Sequence, residues 1–158
     1  MDAPSLRLRD YRPGDRDACL ALLDGNTPRF FDPSERASFE RWLAAPAGAY
    51  FVLEDAAGAI VACGGYVRGR GGEDDPRAAE LAWGMVRHDL HGRGIGRRLT
   101  EERLVRAQAD PEVDALILFT TQRSQGFYTR MGFAVTRVTA DGIGPGLDRV
   151  DMRLSRVP

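Results

Sequence analysis

Long apolar runs are missing from this 158-residue sequence, although hydrophobic residues make up 43% of it and charged residues 28%. No segment approaches the run of about 18 apolar residues that a membrane-spanning helix needs. The N-terminal stretch from Met1 to Leu8 also lacks the hydrophobic centre of a secretory signal. With no repeat and no linker between separable parts, the sequence predicts a single cytoplasmic globular domain over residues 1–158 that has no membrane contact.

Cysteine and histidine are scarce, with two residues of each type. Cys19 and Cys63 lie in apolar stretches, far apart in the sequence, and we interpret them as ordinary buried small residues. His88 and His91 are close to each other but have no third candidate ligand nearby. The sequence therefore predicts neither a metal site nor a redox pair.

A large net charge is also absent, since the formal charge is −1, but the basic residues are unevenly distributed. One concentrated basic segment in a nearly neutral protein favours a small polyanion over nucleic acid as the ligand. An arginine–glycine tract at 68–72 is followed by the acidic residues 73–75, and we interpret residues 68–75 as a polar, solvated loop. The basic segment contains Arg87, His88, His91, Arg93, Arg97, Arg98, Arg103 and Arg106.

Local patterns predict the element order βααβββαβαββ, and hence a mixed α/β sheet with helices on both faces. The helices are expected to begin at Pro13, at the capping pattern Asp32–Glu35, after a glycine-rich loop, and at Ser124. The third helix, ending near Ala109, has an imperfect apolar stripe of Ile95, Leu99 and Ala107 interrupted by Arg103. Strands are predicted at 6–9, 50–54, 60–67, 79–86, 115–120, 133–138 and 149–154, with a turn at 141–146.

The most informative pattern is a buried strand that is followed by Gly92, Gly94 and Gly96 at the start of a helix. The first turn of a helix has unpaired N–H groups and a partial positive charge, so it suits a phosphate. The glycine spacing does not fit a dinucleotide fingerprint, and no Gly-Lys-Ser/Thr follows as in a P-loop. The pattern thus indicates an anion site of another kind, with a turn that binds no ligand as the alternative.

Two blocks of the sequence resemble the GCN5-related N-acetyltransferase (GNAT) superfamily. Residues 79–99 are similar to its motif A, in which Gly94 and Gly96 match the loop pattern and His91 takes the first position. Residues 127–133 are similar to its Tyr-x-x-x-Gly-Phe signature. The resemblance implies a mixed, mostly antiparallel sheet of six or seven strands, split into a V between the fourth and fifth strands. It also implies a bulge at Gly84-Met85.

The resemblance further implies a single acyl-CoA N-acyltransferase domain that transfers acetyl from acetyl-CoA to a primary amine, without a metal. The expected acceptor is a small-molecule amine, and a homodimer is common in the family. A non-catalytic acyl-CoA-binding regulator, a protein-lysine or N-terminal acetyltransferase, and a nucleic-acid-binding domain stay open as alternatives. The residues expected to bind the cofactor are Met85, Val86, His91, Gly92, Arg93, Gly94, Ile95, Gly96 and Arg97.

Acyl transfer to an amine requires a base for the amine, donors for the oxyanion and an acid for the thiolate. Tyr128 is the candidate acid, because a phenol of pKa about 10 is protonated at neutral pH and family members use the matching tyrosine. The alternative is an aromatic core residue beside Phe127. Glu80, the one carboxylate in an apolar strand, is the candidate base, or else a glutamate in solvent or paired with an arginine such as Arg77. A backbone N–H near Met85 or Val86 is the candidate oxyanion donor. Phe30 and Phe31 are candidates for the acceptor pocket, or simply cover the core.

Overall fold

The structure is a computed structural model that describes residues 5–69 and 75–155. Most of the predicted loop at 68–75 therefore lies outside the described residues. The helices are α1 (Arg16–Gly25), α2 (Glu35–Ala44), α3 (Ile95–Gln108) and α4 (Gln125–Arg130), with 3-10 turns at Pro13–Asp15 and His88–Leu90. The strands are β1 (Arg7–Asp10), β2 (Ala49–Glu54), β3 (Ile60–Arg68), β4 (Ala78–Val86), β5 (Ala115–Thr120), β6 (Ala134–Gly144) and β7 (Leu147–Ser155).

The described strands form one sheet in the order β1-β2-β3-β4-β5-β7-β6. Every neighbouring pair is antiparallel except β4 and β5, which are parallel because the crossover helix α3 connects them. Their pairing covers only residues 78–80 of β4 and 115–117 of β5, and beyond this point the two strands part. The predicted mixed sheet with a split between the fourth and fifth strands is confirmed.

Helices cover both faces of the sheet, as the alternation along β3 demonstrates. Cys63 packs in one core cluster with residues of α1 and α2, whereas its neighbour Ala62 packs with Ile95 and Leu99 of α3. Successive residues of a strand point to opposite faces, so α3 lies on the other side of the sheet from α1 and α2. Cys19 belongs to the same cluster as Cys63, which brings the two cysteines into one core.

Several predicted boundaries change in the structure. The bulge lies at Trp83–Gly84, one residue before the predicted position, because these two residues face the single residue Gly64 between the pairs Cys63–Met85 and Gly65–Ala82. Strand β6 extends to Gly144 instead of ending at 138, since the predicted turn at 141–146 is mostly part of the β6–β7 hairpin. The proline-led start of the first helix is a separate 3-10 turn.

Close strand packing at Gly65 gives a stability prediction. An added Cβ would fall well inside van der Waals contact with the carbonyl oxygen of Ala49, a main-chain atom that cannot rotate away. We expect Gly65→Ala to lower the free energy of unfolding by about 3 kcal/mol and the melting temperature by roughly 6–12 °C.

The matched control is Gly25→Ala at the end of α1, where no described atom lies within 4 Å of the added Cβ. Thermal unfolding followed by circular dichroism checks both variants. Equal melting temperatures for the two would contradict the packing described here.

Candidate functional site

A cavity of about 450 Å³ occupies the gap between β4 and β5. One wall is β4 from Glu80 to Val86, and the other is the end of β5 with the segment leading into α4. The first three residues of the two strands are paired, and the gap opens beyond Glu80, where this pairing stops. The residues predicted from the sequence that line it are Phe30, Phe31, Glu80, Met85, Val86, His91, Gly92, Gly96 and Tyr128.

The glycine loop presents a row of main-chain donors next to this cavity. Gly92 and Gly94 have positive φ angles of 77° and 81°, and Gly94 is the N-cap of α3 without a side-chain cap. From Gly92 onwards, the first N–H with a main-chain acceptor among the described residues is that of Arg98, which donates to the Gly94 carbonyl at 3.1 Å. Within the described part of the chain, the six N–H groups of residues 92–97 have no acceptor. This arrangement can bind an anion with several oxygens.

Much of the basic segment is neutralised by neighbouring carboxylates. The guanidinium of Arg87 pairs with Asp89 at 2.7 Å and that of Arg97 with Glu101 at 2.8 Å, and Arg106 pairs with Glu102. Arg93 and Arg98 form no ion pair with any described residue, and they flank the exposed N–H groups of the loop. The positive charge around the loop is therefore local, which suits a small polyanion.

The main chain of Val86 is directed into the gap. The Arg87 N–H donates to the Val61 carbonyl of β3 at 2.8 Å, so by the alternation of an antiparallel ladder the groups of Val86 point away from β3. The Val86 carbonyl accepts two hydrogen bonds, from Asn26 Nδ2 and from His91 Nε2, each at 2.9 Å. Its N–H has no acceptor in the described residues, whereas Met85 is paired with β3.

The His91 side chain is consequently held by a hydrogen bond to β4, the strand that precedes the loop. Its Nε2 must carry the proton that is donated to Val86, and its ring lies edge-on to Phe30 with the centroids 5.2 Å apart. The side chain at the first loop position therefore orients the end of β4, while the groups of the loop that stay without an acceptor among the described residues are main-chain N–H groups.

The strand wall is strained at the bulge. Trp83 has a φ of +49°, which is unusual for a bulky residue and costs about 1–3 kcal/mol. Its carbonyl accepts a hydrogen bond of 2.8 Å from the buried Tyr50 hydroxyl. Burial is the main reason that the pKa of Tyr50 is raised well above its usual value, so this hydroxyl is a permanent donor.

The two candidate catalytic side chains lie on opposite walls. Glu80 is half-buried at the point where β4 and β5 separate. The ion pair of Arg77 is with Asp114, at 2.7 Å. Tyr128 is half-buried on α4, between the rings of Phe127 and Phe133. Within the described residues the Tyr128 hydroxyl has no hydrogen-bond partner, so it is available to a ligand in the gap.

The predicted pair Phe30 and Phe31 is divided between two parts of the gap. Phe30 is beside His91, close to the glycine loop, whereas Phe31 stacks on Trp83 at the bulge with ring centroids 6.4 Å apart. Glu35 also lines the gap and was not predicted, because the sequence shows only its role in the helix start. That role is present, since its Oε2 accepts the Asp32 N–H at 2.8 Å, and burial raises its pKa.

Three further lining residues were not predicted as site residues, namely Asn26, Trp83 and Arg103. Asn26 carries no pattern that separates it from an ordinary helix end. Trp83 is one of several apolar residues in β4, and only its neighbour Gly84 hints at a bulge. Arg103 did give a signal, because it interrupts the apolar stripe of α3, and the structure buries it to 2% exposure.

Metal ligands and membrane spans were also sought in residues 5–69 and 75–155. These residues contain no group of three or more His, Cys, Asp or Glu side chains placed to hold a metal ion. None of the described helices is long and apolar enough to cross a membrane.

Solved structures share this fold. A protein proposed to be a phosphinothricin N-acetyltransferase superposes with a TM-score of 0.80 at 19% identity, covering 98% of this chain and 100% of that one. For yncA, a proposed acetyltransferase from Salmonella typhimurium solved with acetyl-CoA, the TM-score is 0.75 at 15% identity, with coverage of 98% and 95%. For an aminoglycoside 6'-N-acetyltransferase in complex with coenzyme A, it is 0.75 at 14% identity, with coverage of 96% and 98%.

Sequence comparison adds the family. No curated protein sequence matches the chain. The profile of the acetyltransferase (GNAT) domain matches residues 46–135, which is more than half of the chain and includes β4, the glycine loop, α3, β5 and α4. The motifs, the split sheet and this match agree, and the chain belongs to the GCN5-related N-acetyltransferase (GNAT) family.

Proposed function

We propose that this protein transfers the acetyl group of acetyl-CoA to the primary amine of a small-molecule acceptor. The observation that carries the proposal is the row of six unpaired N–H groups at residues 92–97, which opens onto the gap between β4 and β5. Such a row suits the diphosphate of coenzyme A, and the gap leads from it to the bulge. Family membership, and the solved neighbours that contain acetyl-CoA or coenzyme A, support the same donor.

The donor fits the chain without rearrangement of the loop. A Cβ at Gly92 or Gly94 would meet no described atom within 4 Å, so a ligand can approach the main chain there. Ile95 is buried and anchors the helix start, while Arg93 and Arg97 are exposed around the N–H groups. Further along, the free N–H of Val86 can bind a carbonyl oxygen of the donor, held in place by the two bonds to the Val86 carbonyl.

The residues on the two walls supply the proton transfers. The amine nitrogen forms a bond to the acyl carbon as the carbon–sulfur bond breaks, and the nitrogen loses one proton while the sulfur gains one. Glu80 accepts the proton from the amine, directly or through water, and the Tyr128 hydroxyl donates one to the departing sulfur. A main-chain N–H at the end of β4 stabilises the negative charge on the acyl oxygen.

The acceptor enters beside the bulge. Phe31 and Trp83 give this end of the gap an aromatic wall, and the half-buried carboxylate of Glu35 adds negative charge. An aromatic wall next to a carboxylate attracts a cationic amine. The β6–β7 hairpin limits the space on this side, since Ile143 lines the gap and Gly144 packs against Asp32. This confined entrance favours a small molecule over a protein segment.

Thiol release tests the function as a whole. Purified protein with acetyl-CoA and a panel of small primary amines should release coenzyme A in proportion to an N-acetyl product seen by mass spectrometry. A peptide with a free N-terminus and an internal lysine belongs in the same panel. Tight coenzyme A binding with no release for any amine would instead support a non-catalytic regulator.

Charge at the glycine loop should control donor binding. In Gly96→Glu the added carboxylate lies in the first turn of α3, among the N–H groups that we assign to the diphosphate, and repels it. We expect coenzyme A affinity measured by calorimetry to fall by about 10²-fold or more, which corresponds to about 2.7 kcal/mol. Gly14→Glu, an exposed site with the same change of charge, should bind normally, and equal losses in both variants would contradict the assignment.

Loss of the Tyr128 hydroxyl should affect turnover and not donor binding. We expect Tyr128→Phe to lower kcat about 10- to 100-fold, because the departing sulfur loses its proton donor, with coenzyme A affinity unchanged. Steady-state kinetics and calorimetry check the two parts. Tyr66→Phe, a partly buried tyrosine in the same core cluster as Tyr128, is the matched control and should keep full activity. A fully active Tyr128→Phe enzyme at every pH would rule out the acid role.

A further inference from the structure

Arg103 is a charged residue in a position where the fold needs an apolar one. It lies on the buried face of α3 between Leu99 and Ala107, and it is only 2% exposed. No carboxylate among the described residues forms an ion pair with it, whereas Arg87, Arg97 and Arg106 of the same segment each have one. A buried charge without a partner is expensive, so its presence requires an explanation.

The guanidinium fills a hole that two glycines leave in the sheet. A Cβ on Gly84 would lie 2.6 Å from Nη2 and 2.8 Å from Nη1, and a Cβ on Gly64 would lie 3.2 Å from Cζ. The charged group is therefore directly behind the bulge, at the position where β4 turns away from β5. It also forms part of the lining of the gap.

Its hydrogen bonds are few and long for a group with five donor protons. Nη1 donates to the Gly65 carbonyl at 3.3 Å, and Nη2 to the Thr100 hydroxyl at 3.4 Å. Nε is buried without an acceptor in the described residues. Tyr50 of β2 and Cys63 of β3, on the opposite face of the sheet, interact electrostatically with Arg103, and burial raises the pKa of both well above the usual range. Neither group therefore supplies a negative charge at neutral pH.

We propose that Arg103 provides a fixed positive charge to the part of the gap beside the bulge, where the acyl group reacts. There it stabilises the negative charge that develops on the acyl oxygen and the departing sulfur. The inference rests on the proposed function. It explains why a costly cation replaces an apolar side chain that could fill the same hole. The acyl oxygen and the departing sulfur, unlike the Glu80 carboxylate, become negative only during acyl transfer, so a guanidinium without an ion pair among the described residues can act on them.

The ionisation of bound coenzyme A measures this charge directly. We expect the thiol pKa of coenzyme A in the wild-type complex, followed by thiolate absorbance, to lie about one unit below that of free coenzyme A. Arg103→Met should remove most of this shift and lower kcat about 10-fold or more, with little change in coenzyme A affinity. Arg103→Lys, which keeps the charge, should keep the lowered thiol pKa.

Arg106→Met is the matched control, because it removes one positive charge from the same helix at a residue already paired with Glu102. It should leave the thiol pKa and kcat unchanged. A wild-type complex whose thiol titrates like free coenzyme A overturns the inference even where Arg103→Met does not fold. A folded Arg103→Met protein that keeps the shift, or an equal loss in Arg106→Met, also overturns it. If wild-type protein binds no coenzyme A, the proposed function itself fails, which is a separate result.

Discussion

The separation of β4 from β5 is the constraint on which the site depends. Their parallel pairing ends at Glu80, whereas β5 continues to pair with β7 along its whole length. Three residues later, Trp83 and Gly84 together face the single residue Gly64, and the extra residue bends β4 away from its former partner. Because main-chain geometry creates the gap, most side chains along it can change without closing it. Such a scaffold suits a family whose members share one donor and differ in acceptors.

The bulge is stable because packing on both faces of the sheet fixes it. On one face, Phe31 and Phe39 lie against the Trp83 ring, and the Tyr50 hydroxyl binds its carbonyl. On the other face, Arg103 occupies the space next to Gly84. A positive φ at a tryptophan persists only where the surroundings leave no alternative. The aromatic wall of Phe31 and Trp83 and the part of the gap beside Arg103 are thus parts of one packed unit.

Features set by local sequence were predictable, and those set by strand register were not. The glycine loop and the start of α3 are local, so the sequence located the row of N–H groups correctly, along with the element order and the split. The position of the bulge and the direction of Val86 depend on which residues of β3 lie opposite. For the same reason the sequence did not show that Phe30 and Phe31 lie in different parts of the gap or that Glu35 lines it. It also did not show that Cys19 and Cys63 belong to one core cluster. The roles of Tyr128 and Glu80 are still predictions.

The charges along the gap change from positive at the glycine loop to negative at the proposed acceptor end. If the proposed function holds, this order has a chemical consequence. Arg93 and Arg98 flank the loop, Arg103 lies behind the bulge, and Glu35 and Glu80 lie toward the acceptor end. An acceptor amine is mostly protonated at neutral pH, so the carboxylates attract it as a cation. As it approaches the acyl carbon it meets the field of a buried guanidinium, which disfavours the ammonium form and promotes loss of the proton to a nearby carboxylate. The same buried charge can therefore assist twice, first by favouring the neutral nucleophile and then by stabilising the negative charge that its attack creates.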